Sequence, residues 1–122
     1  METLIKKLVN FKSGEGKALF WSFAYFFLLM EHMEAAAREL GLPAEAARAL
    51  TLQTALGAAR MAVESGEAPE TLRKQVTSPN GTTAAALAVF EQEKLKAVVA
   101  KALTAARDRG RRMAEEAGKG KS

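Results

Sequence analysis

Apolar positions recur at steps of three and four along almost the whole chain, the spacing of helix faces. In METLIKKLVNF, Leu4, Ile5, Leu8 and Val9 share one face, with Lys6 and Lys7 away from it. KSGEG then reads as a flexible break. A long helix is predicted from Lys17 to Leu40, with Gly41 at its C′ position and Pro43 just inside the next start. That next helix runs from Pro43 to Glu64 and stops at Ser65-Gly66. APETLRKQV reads as a short helix with Pro69 near its start, and TSPNG as a turn in which Asn80-Gly81 supplies unusual dihedrals. Thr82 is positioned to cap a helix through TAAALAVFEQE. The last helix, Glu93 to Ala117, carries Leu95, Val98, Val99, Ala102, Ala106 and Met113 at helical spacing. Neither strand-like alternation nor a fixed-period repeat is present. The expected fold is all-α and multi-helix. Residues 1–16 form an added helix and linker, 17–117 the domain, and 118–122 a disordered tail.

The helix from Pro43 to Glu64 lacks a clear polar face. Leu50, Leu52, Leu56, Met61 and Val63 stand among alanines on nearly every side. A helix apolar all round is normally buried all round. A chain of 122 residues has little material to surround one of six turns. The economical solution is a second copy, so a homodimer is expected, with Leu50, Leu52, Leu56 and Met61 in its core.

Earlier in the chain, LFWSFAYFFLLM concentrates aromatic residues that are scarce elsewhere. Its apolar run, Ala18 to Met30 apart from Ser22, is closed by Glu31, His32 and Glu34. A spanning helix needs about 20 apolar residues, so no membrane association is expected, and a cytoplasmic, soluble protein is the default. The chain has no cysteine and one histidine, which removes thiolate chemistry and multi-histidine metal sites. Net charge is +4. Arg107, Arg109, Arg111 and Arg112 scatter around a helix axis instead of forming a stripe, so nucleic acid is not an expected partner.

From Ala24 onward the sequence resembles the C-terminal dimerisation domain of bacterial pyrroline-5-carboxylate reductase. The carrying stretches are AYFFLLMEHMEAAARELGLP and LTLQTALGAARMAVESGEAPETLRKQVTSPNGTT. In the second, QTALGAARM, SGE.P..LR..VTSP and GTT stand in the family's order and spacing. The resemblance implies an interlocked helical homodimer. It also implies a preceding Rossmann domain for NAD(P)H, and an imine substrate whose carboxylate is held by the GTT loop. Carried over, that loop is Gly81, Thr82 and Thr83, with Thr83 the hydroxyl towards the ring nitrogen side. Asn-Gly followed by Thr is also an ordinary turn and cap, and that reading is weighted above substrate binding.

Two departures count against catalysis. No Gly-x-Gly-x-x-Gly follows a strand, so no nucleotide cofactor is expected. Where the family reads SGSGPAY this chain reads FWSFAY, with Phe23 in place of Pro and Trp21 in place of Ser. Bulky rings then fill space that glycines leave open. The expectation is a truncated, engineered, non-catalytic homodimer scaffold built on this domain. The first alternative is an engineered binding module that presents Phe20, Trp21 and Phe23 to a designed protein partner. The second is a residual reductase domain that needs a separate NAD(P)H-binding domain.

Overall fold

The computed structural model describes residues 22–120. The expected N-terminal helix and linker of 1–16, together with Phe20 and Trp21, lie outside the described residues, as do 121 and 122. The fold is all-α, with five helices and no strand among the described residues. They are α1 (Phe23–Glu39), α2 (Ala44–Ser65), α3 (Pro69–Gln75), α4 (Thr82–Gln92) and α5 (Leu95–Lys119). Residues 25–89 form one compact unit, and the described residues 22–24 and 90–120 belong to another.

Ser22 stands in a turn and α1 begins at Phe23, while the part of the expected helix from Lys17 to Trp21 lies outside the described residues. Serine favours the position just ahead of a helix, where its hydroxyl can bond backbone amides. At the other end Gly41 has φ 106°. Its N–H donates to the Arg38 carbonyl at 3.0 Å, and the Leu42 N–H donates to the Ala37 carbonyl at 3.1 Å. These paired bonds form a Schellman closure, which glycine makes without a Cβ clash.

Pro43 is the N-cap of α2 and lies just outside the helix, not just inside it. Its ψ of 148° is extended, and its carbonyl accepts from the Ala47 N–H at 2.9 Å. Gly66 ends α2 with φ 68°. In the turn that follows, the Glu67 N–H donates to Ser65 Oγ at 3.2 Å. Pro69 opens α3, where its missing N–H costs no helical bond. α3 packs against α2. The Thr77 hydroxyl then donates to the Arg73 carbonyl at 2.6 Å as the chain leaves α3.

α4 corrects one expected cap. Thr82 is already helical, and the carbonyl of Gly81 accepts the first bond, from the Ala85 N–H at 3.2 Å. Glycine is tolerated at an N-cap nearly as well as threonine. α4 and α5 are separated by Glu93 and Lys94 alone. Lys94 is left-handed, with φ 58° and ψ 46°, so α5 starts at Leu95 and not at Glu93. α5 also continues through Gly118 to Lys119, two residues past its expected end.

Among the described residues only Ala47 and Thr51 are buried. Both lie on α2, one helical turn apart. Among the described residues no large side chain is fully buried.

Candidate interaction surface

α2 is the centre of the question, because its four sides differ. Each residue turns about 100° around a helix axis. Ala47, Thr51, Ala55, Ala58 and Ala62 therefore share one side, made of small residues and including both buried positions. Gln53, Arg60 and Glu64 mark a narrow polar line opposite. Arg60 and Glu64 pair there at 3.0 Å, one turn apart. Between these sides lie two apolar flanks. One carries Leu50 and Met61, with Thr54 and Gly57 between them; the other carries Leu52, Leu56 and Val63.

The four residues expected in a dimer core are thus divided between two flanks and do not form one cluster. In the single chain they are open: Leu50 is 57% exposed, Leu52 41%, Leu56 53% and Met61 47%. Isolated surface leucines are ordinary, but contiguous apolar faces on both sides of one helix mark a surface built to be covered.

α1 adds to that surface. Phe26, Leu29 and Met33 are exposed at steps of three and four, so they lie along one side. An open groove of about 490 Å³ is lined by Phe27, Met30, Glu34 and Arg38 of α1 and by Arg48 and Leu52 of α2. Its lining combines apolar and charged side chains. Of the aromatic patch expected at Phe20, Trp21 and Phe23, only Phe23 is described; it begins α1 and is 61% exposed.

The Gly81, Thr82 and Thr83 loop sits at the start of α4. Asn80 has φ 59°, and the Gly81 N–H donates to the Ser78 carbonyl at 3.1 Å. A methyl group at Gly81 would come 3.3 Å from that same oxygen, so the tight turn favours glycine. Gly81 is half-buried, while Thr82 and Thr83 are exposed. Sequence reasoning placed the turn correctly, but the left-handed backbone expected of Asn80-Gly81 falls on Asn80 alone, and Gly81 holds the capping position given to Thr82.

Other chemistry is sparse. Among the described residues no group of three or more His, Asp or Glu side chains is placed to hold a metal ion. His32 is exposed on α1. Among the described residues no helix is long and apolar enough to cross a membrane. On α5, Arg107 pairs with Asp108 at 3.2 Å and Arg109 with Glu116 at 3.6 Å, so part of the basic end is neutralised on its own helix.

A family model described as pyrroline-5-carboxylate reductase dimerisation matches residues 21–113. The chain belongs to this family. Pyrroline-5-carboxylate reductase of Pseudomonas aeruginosa is 54% identical over 95 residues, which cover 78% of this chain and 35% of that one. Pyrroline-5-carboxylate reductase 1 of Bacillus subtilis is 42% identical over 93 residues, covering 76% of this chain and 31% of the relative. Among solved structures, a pyrroline-5-carboxylate reductase from Coxiella burnetii superposes with a TM-score of 0.78 at 48% identity, over 81% of this chain and 37% of the other. The Plasmodium falciparum enzyme with NADP bound gives a TM-score of 0.78 at 30% identity, covering 82% of this chain and 41% of that one. The chain thus spans about a third of the length of the curated relatives it matches.

Proposed function

We propose that this chain is a self-associating helical module, a homodimer scaffold that performs no reduction by itself. The exposure of both apolar flanks of α2 carries this reading: Leu50 and Met61 on one, Leu52 and Leu56 on the other. A second copy would remove these side chains from water. Burial of each is worth about 1.5–3 kcal/mol, against which stands the entropy lost on association. The family's description as a dimerisation domain supports the same reading. In it, the Gly81 loop serves as the turn that starts α4. Reduction of an imine would require a nucleotide-binding domain in addition to the residues described.

The test is mass against concentration. Sedimentation equilibrium over a wide dilution series should give twice the 13.1 kDa chain mass, falling towards one chain at the lowest concentrations. A folded species of one chain mass at every concentration would overturn the reading.

A further inference from the structure

The turn ahead of α4 closes on a chemically reactive pair. Ser78, Pro79, Asn80 and Gly81 place proline second and the positive φ of 59° third, the pattern of a type II turn. The bond that closes it runs from the Gly81 N–H to the Ser78 carbonyl at 3.1 Å. Asn80 is exposed, so water reaches its side-chain amide. The chain has one other asparagine, Asn10, which is followed by Phe11.

An asparagine side chain carries an electrophilic carbon, Cγ, within reach of the next residue's backbone nitrogen. Attack by that nitrogen closes a succinimide ring. A Cβ on the following residue crowds the nitrogen, and glycine has none. Asn80-Gly81 therefore joins the least hindered nucleophile to an exposed amide, whereas Phe11 crowds the nitrogen after Asn10. The turn opposes the reaction. While the Gly81 N–H is bonded to Ser78, its proton is held and its nitrogen is tied into the turn. Exposed turns open locally at a small part of the cost of unfolding the whole chain.

We infer that Asn80 is a site of spontaneous deamidation, with the Ser78–Gly81 bond as the brake and local opening of the turn as the step that releases it. In the open turn the Gly81 amide nitrogen loses its proton and attacks Asn80 Cγ. The N–Cγ bond forms, the Cγ–Nδ2 bond breaks, and ammonia leaves with the proton taken from Gly81. Water then opens the ring. Addition at Cγ gives aspartate; addition at the backbone carbonyl carbon of residue 80 gives isoaspartate. Nothing is oxidised or reduced, and water is the co-reactant. Either product puts a carboxylate beside the N-terminus of α4, where the helix dipole favours it. Isoaspartate also adds one carbon to the main chain between Pro79 and Gly81, which breaks the spacing that lets Gly81 reach Ser78. This site goes beyond the self-association proposed above and does not depend on it.

The test holds the full chain at mildly alkaline pH, folded and in urea. Digests are followed by mass spectrometry, with the products separated by chromatography. Asn80 should convert in the folded chain, ahead of Asn10. Urea should speed the conversion at least about tenfold by keeping the turn open. Aspartate and isoaspartate should both appear, since one ring opens in two ways. Gly81→Ala should slow the conversion in urea, where folding plays no part. An Asn80 that stays intact in the folded chain while it converts in urea would overturn the inference, as would equal rates in the two conditions. Aspartate as the sole product would also overturn it, because direct hydrolysis makes no ring.

Discussion

Two residues show how backbone geometry and sequence can disagree. Gly66 and Lys94 are both left-handed, with φ near 68° and 58°. Glycine adopts that region freely; a lysine there costs about 1–2 kcal/mol. Lys94→Gly should therefore raise the thermal midpoint, although the greater freedom of glycine in the unfolded chain offsets part of the gain. A net rise of about 2–4 °C is expected in differential scanning calorimetry. A fall would mean that the lysine side chain contributes more than its backbone loses. The glycine stops were legible in the sequence at Gly41 and Gly66, whose left-handed backbone glycine adopts without a Cβ clash. The break at Lys94 was not legible. Gln92, Glu93 and Lys94 are good helix formers, so local preference predicts continuation. Thr82 misled for a related reason: a side chain able to cap does not fix which residue holds the capping position.

At the scale of the element, α2 was read from the sequence as apolar on nearly every side, and its length was placed within a residue at each end. The expected core residues are all on it. What the sequence pattern blurred was their division into two flanks with a polar line between, because alanines on every side obscured the narrow row of Gln53, Arg60 and Glu64. That division allows the flanks to be tested separately. Leu56→Ala should destabilise the assembled protein by about 2–5 kcal/mol if the second flank is covered, seen as a shift of the urea midpoint without a change in slope. If that flank faces water in solution, the loss should stay within about 0.5 kcal/mol.

For the whole molecule, the bookkeeping of burial differs from that of an ordinary domain: among the described residues Ala47 and Thr51 alone are buried. When most apolar contact forms between copies, stability depends on concentration. Each tenfold dilution should lower the thermal midpoint by a measurable step; a midpoint independent of concentration would show a chain stable alone. The open flanks of α2 also bear on how such a protein accumulates in a cell. Encounter of two chains is second order, so at low expression a newly made copy waits longer with its leucines in water. During that wait it is a substrate for chaperones and proteases. The amount of assembled protein then falls more steeply than the rate of synthesis, which makes dosage, as much as sequence, a determinant of how much survives.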